Sequence, residues 1–306
     1  MPLLSEGIET RQKQRRKKRN SYALLVGPSV FLYGVFIIFP VIFSGVFGFT
    51  EWDGVGIPQF IGFDNYVSIF SDPVFLFDLR NNFLIVAISV FGQLPIGFVV
   101  AYIIYRKLVV GGKVFETVLF LPITISAVVI AILWNQIFGP SGLLTALMRL
   151  LVNDPRYVFA VFENRVFAMV PILFVILWMY TGVYMIIFIA NLQSISPSVF
   201  EAAVIDGASE GQILWRIVIP AMTNILFTTS IFAISGSLKS FDLIFAMTGG
   251  GPAHYTEVVA IYMYLQTFRF YNFGYGSAVS VVIVALSLGL ITLLRVSYKR
   301  IEKRFG

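Results

Sequence analysis

A chain of 306 residues that is 58% hydrophobic and only 12% charged, with 31 phenylalanines, carries too little polar surface to face water all round. Its composition is that of an integral membrane protein. The absence of cysteine excludes a disulfide framework, a thiolate metal site and a cysteine nucleophile together, and a single histidine, His254, reads as a solvated loop residue with no metal role.

In chain order, the basic arm 1–20 comes first, with "RQKQRRKKR" at 11–19. Its position directly before an apolar run marks it as a topology and anionic-lipid signal rather than a nucleic-acid patch. Six uncharged apolar runs follow, each longer than the ~20 residues that a helix needs to cross a ~30 Å hydrocarbon core. They predict spans at about 22–49, 83–105, 117–138, 167–190, 217–240 and 273–296, ahead of a short tail at 301–306. The first run is too long for the core of a cleavable signal peptide and has no A-x-A-like exit, so it is expected to stay as an anchor. The runs are too long for barrel strands and do not alternate polar with apolar, so the predicted fold class is all-α. Pro40, Pro95, Pro122 and Pro171 are expected to be tolerated inside the spans, where neighbouring helices satisfy the freed backbone groups.

Most of the 22 basic residues fall in the arm, in 106–116, in 201–216 and in the tail if the N-terminus is inside. The positive-inside bias then predicts a multi-pass protein of the cell (cytoplasmic) membrane with both termini in the cytoplasm.

Catalytic chemistry has no foothold. The only "GGK", at 111–113, lacks the upstream glycine of a P-loop. The six uncharged runs, the last two of which end at Leu238 and Leu294, hold no Asp, Glu, Lys, Arg or His, which weakens the case for an ion-coupled secondary carrier. The residues alone still leave open such a carrier, since broken helices can hold sodium on backbone carbonyls, and a membrane scaffold without transport.

Between the fourth and fifth runs lies "SPSVFEAAVIDGASEGQILWRIVIP", residues 196–220. Ser196 and Pro197 predict a helix start, Gly207 its end, and Ser209 with Gln212 a second start, giving a helix-turn-helix at 196–216. Val199, Ala202 and Ala203 are predicted to form one face of the first helix, bordered by Glu201 and Asp206. Small residues admit a close partner backbone and carboxylates seek Arg or Lys, so a cytoplasmic protein partner is expected on this face.

The stretch resembles the EAA loop of the membrane subunits of binding-protein-dependent ABC importers, whose pattern is E-A-A, three residues, G, nine residues, I, one residue, L-P. Glu201, Ala202, Ala203, Gly207, Ile217 and Pro220 fall at every spacing, and only the leucine departs, as Ile219. "FDLIFAMTGGGPAHYTEVVAIYMYLQTF" at 241–268 and "IGFDNYVSIFSDPVF" at 61–75 resemble the carbohydrate-uptake branch of that family.

The resemblance implies the type I ABC importer (MetI-like) permease fold and a subunit with no catalytic centre or bound cofactor of its own. It also implies two cytoplasmic ATPase subunits that hold ATP and Mg, a second permease subunit expected as a different chain, and an external solute-binding protein. Glu201, Ala202, Ala203, Asp206 and Gly207 would then seat in the ATPase. Ile217 and Pro220, with Arg216, would pass the movement to the fifth span. A sugar or related polyol needs hydroxyl-matching groups and aromatic faces. The candidates are Tyr180, Thr181 and Tyr184 before the loop, and Ser235, Ser237, Ser240 and Phe241 beyond it. Lys239 is expected to snorkel, with Asp242 as its local partner.

Overall fold

The computed structural model describes residues 24–305, with side chains to residue 299; the basic arm 1–20 and the side chains of the tail lie outside the described residues. Six helical segments are long and apolar enough to cross a membrane: Leu24–Phe47, Pro73–Tyr105, Ala127–Val152, Met169–Leu192, Thr223–Thr248 and Phe273–Lys299. Among the described residues the fold is all-α apart from one two-residue antiparallel pairing, Thr50–Glu51 with Gln59–Phe60, after the first span.

The prolines shape the spans in a regular way. Pro40, Pro95 and Pro220 each follow a five-residue π-helical turn, Gly34–Ile38, Ser89–Gln93 and Leu214–Val218 respectively. A proline offers no N–H to the carbonyl four residues back and its ring crowds that carbonyl, so the preceding turn widens instead of closing. Pro122 has a stronger effect. It sits in a 3-10 turn, Leu121–Thr124, that separates helix Gly112–Phe120 from helix Ala127–Phe138, so the run expected as the third span is broken. Pro171 stands in the first turn of Met169–Leu192, where a missing N–H costs nothing.

Four spans reach beyond the uncharged runs, the third taking in Arg149 and the sixth Arg295 and Lys299. The second starts at Pro73, because the Asp72 carboxylate caps it by accepting the Val74 N–H at 2.7 Å. Asp78 and Arg80 therefore belong to this helix. The fifth resumes after a joint at 239–241 as helix Asp242–Thr248. The expectation of spans free of charged residues is thus corrected: a cap outside the apolar run sets where the second helix begins.

Small residues set the closest crossings, as they do between membrane helices generally. A Cβ on Gly182 of the fourth span would lie 2.1 Å from the Leu119 carbonyl oxygen, and one on Gly97 of the second span 3.1 Å from the Met185 nitrogen. Beside them Phe98 and Phe188 meet edge to face at 5.5 Å. The first span is exposed along most of its length and joins the bundle only near its end, where Gly48 touches Ala278 of the sixth span.

Candidate functional site

At one end of the bundle the 196–216 segment folds as two short helices. The first, Pro197–Ile205, follows Ser196, and Gly207 then takes φ +73°, a left-handed turn that glycine adopts without strain. Ser209 restarts the chain with a reciprocal capping box: its N–H donates to Gln212 Oε1 at 2.8 Å, and the Gln212 N–H donates to its Oγ. Both starts and the turn lie where the capping residues predict them.

The faces divide differently from the expected small-residue stripe. Ala203 and Phe200 point into the protein's own core, whereas Glu201, Ala202, Asp206 and Val199 face outward. Beside them Ile205 is 85% exposed and Trp215 70% exposed. The free surface is thus a mixed acidic and apolar patch. Ile217 is half-buried and Pro220 exposed at the entry to the fifth span.

Glu210 in the second short helix is held from within the chain. Arg106, just past the second span, donates from Nη2 to Glu210 Oε1 at 2.6 Å and from Nε to Oε2 at 3.2 Å, while the Tyr102 hydroxyl donates to Oε2 at 2.5 Å. The guanidinium also lies over the Phe200 ring at 5.0 Å. The paired Arg106 hydrogen bonds hold the Glu210 carboxyl below the ordinary glutamate range. Neither Tyr102 nor Arg106 was legible as a partner, because they lie more than a hundred positions away.

Further along the bundle a cavity of about 220 Å³ opens between the second, fourth and fifth spans. Five of the seven pathway candidates line it: Tyr180, Tyr184, Ser237, Ser240 and Phe241. Thr181 turns away and donates to the Leu177 carbonyl of its own helix, and Ser235 does not reach the lining. The second span adds Ser89 and Gln93, which sequence reasoning missed. Both sit on the π turn ahead of Pro95, where polar residues immediately before a proline in an apolar run were the available signal. Ser237 Oγ donates to Ser89 Oγ at 3.1 Å, and Gln93 Nε2 donates to the Ile176 carbonyl at 2.7 Å. Lys239 and Asp242 also border the cavity but form no ion pair with each other among the described residues.

A cavity bearing hydroxyl, amide and aromatic groups thus lies among the crossing helices, and a separate exposed helix pair stands at one end of the bundle. A profile of the binding-protein-dependent transport system inner membrane component family matches residues 93–306, and the chain belongs to that family. A probable ABC transporter permease protein of Pyrococcus horikoshii is 35% identical over 284 residues, covering 92% of this chain and 96% of the relative. The lactose transport system permease protein of Rhizobium radiobacter is 31% identical over 268 residues, covering 86% and 89%. In fold, the chain is similar to a chain of a bacterial ABC transporter that imports the acidic polysaccharide alginate, with a TM-score of 0.79 at 21% identity over 95% of this chain and 99% of that one. The protein is a multi-pass ABC-transporter permease subunit, a transport component rather than an enzyme.

Proposed function

We propose that this permease carries a sugar or related polyol inward, delivered by an external binding protein and driven by ATP hydrolysed in separate cytoplasmic subunits. The observation that carries the solute class is the cavity wall: Ser89, Gln93, Ser237 and Ser240 offer hydroxyl and amide groups, and Tyr180, Tyr184 and Phe241 offer aromatic faces. Such a lining matches a hydroxylated, ring-shaped solute through hydrogen bonds and stacking, with Lys239 and Asp242 as further polar partners at its border. The lactose system of the Rhizobium relative supports the same class.

The drive enters at 196–216. In this reading the end of the bundle bearing Arg106 and Glu210 faces the cytoplasm, as the basic-residue bias predicts, and both termini lie there. The patch of Glu201, Ala202, Ile205 and Asp206 seats in an ATPase subunit that binds ATP and Mg. Closure of the ATPase pair on ATP favours one arrangement of the assembly, and the spans follow by differential binding. A second permease subunit, read as a different chain, completes the pathway.

The test is co-purification with the ATPase subunits. Gly207→Val forces a β-branched residue into the left-handed region and misdirects the helix pair, while Ile205→Glu places a charge at the most exposed apolar point. Each is expected to lower recovered ATPase at least about tenfold, the factor for ~1.4 kcal/mol of binding. Full recovery in both variants would overturn the docking surface.

A further inference from the structure

At the opposite end of the bundle, the segment 249–257 folds back onto the start of the second span. Asn81 Nδ2 donates to the Glu257 carbonyl at 2.8 Å and to the Tyr255 carbonyl at 3.2 Å. Asn82 donates to the Ser237 carbonyl and accepts the Val259 N–H at 2.8 Å.

Beneath these contacts lies a group of polar atoms with no partner. Asp78 is 0% exposed and Glu257 2% exposed, yet both Asp78 oxygens and Glu257 Oε1 lack a hydrogen bond, as does the Oδ1 of fully buried Asn81. Such atoms are rare in folded proteins and point to something that binds them. All four are acceptors, so the missing partner is a donor or a cation. No Lys or Arg is within ion-pairing distance of either carboxyl among the described residues.

The remaining Glu257 oxygen, Oε2, is in contact with Nδ1 of His254, whose side chain is half exposed. Asp72, at the cap of the same helix as Asp78, adds a further carboxylate and is itself held by the Tyr262 hydroxyl at 2.5 Å; Tyr262 in turn meets Tyr275 of the sixth span. Among the described residues, the ionisable neighbours of the pair are thus Asp72, with Tyr262 and Tyr275 behind it, and His254. Two adjacent buried carboxylates cannot both stay ionised there.

We propose that Asp78 and Glu257 form a buried proton-binding site, in which one proton shared between the two carboxyl groups fastens the 249–257 segment to the second span. Asp78 O–H donates to Glu257 Oε1, Glu257 Oε2 accepts from His254, and His254 connects the pair to solvent. Burial holds the Glu257 carboxyl above the ordinary glutamate range, in keeping with a proton retained. The fastening is complete at and below the ordinary carboxylate range, and it is lost as pH rises through the raised folded value.

Three forms of the full chain decide the matter: wild type, Asp78→Asn and Glu257→Gln. The neutral amide mimics a protonated carboxyl. In wild type, Tm is expected to fall with rising pH by up to about 3 °C per pH unit, the slope of one extra proton bound in the native state. In Asp78→Asn that slope is expected to vanish while the fold is kept at high pH. Infrared difference spectra of wild type should also show a protonated-carboxyl band that Glu257→Gln and Asp78→Asn each remove, a readout that needs no stable variant at every pH. A pH slope unchanged in Asp78→Asn, or no carboxyl band in wild type, would overturn the proposal. So would a rise in wild-type Tm with added calcium or sodium that Asp78→Asn abolishes, because the partner would then be a metal ion.

Discussion

Replacing Arg106 by alanine is expected to cut ATP-driven solute uptake about tenfold while the ATPase subunits still bind and still hydrolyse ATP. The reason is geometric. Arg106 and Tyr102 lie at the end of the second span, and together they grip Glu210 of the second short helix with three side-chain hydrogen bonds. The same span carries Ser89 and Gln93 into the cavity. Under the proposed docking, a push on the 196–216 helix pair would therefore reach the cavity through the second span as well as through the fifth. Losing a tenfold factor corresponds to ~1.4 kcal/mol of coupling, within the range for allosteric transmission. The Glu210 side chain is partly open to solvent, so the pair's own contribution to stability is about 1 kcal/mol or less.

Two controls separate transmission from mere packing. Exchanging the charges, Arg106→Glu with Glu210→Arg, should restore part of the uptake, which a cavity left by a truncated side chain could not do. The pH dependence is fixed in sign. A glutamate held below its ordinary range contributes fully above that range, and its contribution fades only as pH falls through the lowered value. Wild-type coupling should therefore be level across neutral pH, and Glu210→Gln should be impaired there. Uptake per ATP hydrolysed, measured in proteoliposomes, reads both; an unchanged ratio in Arg106→Ala would remove the second span from the route.

Gly182→Ala is expected to destabilise the fold more than any other single-methyl change in the fourth span. The added Cβ would stand 2.1 Å from the Leu119 carbonyl oxygen and 2.9 Å from Phe120 Cα, both backbone atoms with little freedom to yield. Overpacking of this kind costs about 1–3 kcal/mol, or roughly 2–6 °C in Tm for a chain of this size. Gly236→Ala is the matched comparison. It also lies in a span, has nothing within 4 Å of its ideal Cβ, and exchanges glycine for a better helix former, so Tm should hold or rise slightly. Thermal unfolding of the two purified variants side by side checks the close crossing, and equal Tm values would contradict it.

Much of this architecture was legible in the residues. Long apolar runs announced six helices, since a membrane forces backbone groups to pair within each segment. Ser209, Gln212 and Gly207 announced the two short helices of 196–216, because capping and left-handed turns are local chemistry. What failed was what depends on distant parts of the chain. The second span began ten residues early through the Asp72 cap, which brought Asp78 into a helix read as uncharged. Ala203 and Ala202 sit one position apart, yet one is buried and the other faces out, and only the packing of Phe200 against the second and fourth spans decides which. The role of Glu210 depends on Arg106, which only the fold brings beside it. Of the cavity, the aromatic and serine positions were recognisable by type, whereas Ser89 and Gln93 depended on a π turn that proline induces three-dimensionally.

The most direct measurement is uptake by the reconstituted assembly: this chain with its partner permease and ATPase subunits in proteoliposomes, with the solute-binding protein and a labelled sugar outside and ATP within. The account predicts accumulation that needs ATP and the binding protein, that persists when proton and sodium gradients are collapsed, and that fails when the ATPase subunits are omitted. Accumulation by this chain alone, driven by an imposed ion gradient, would contradict it.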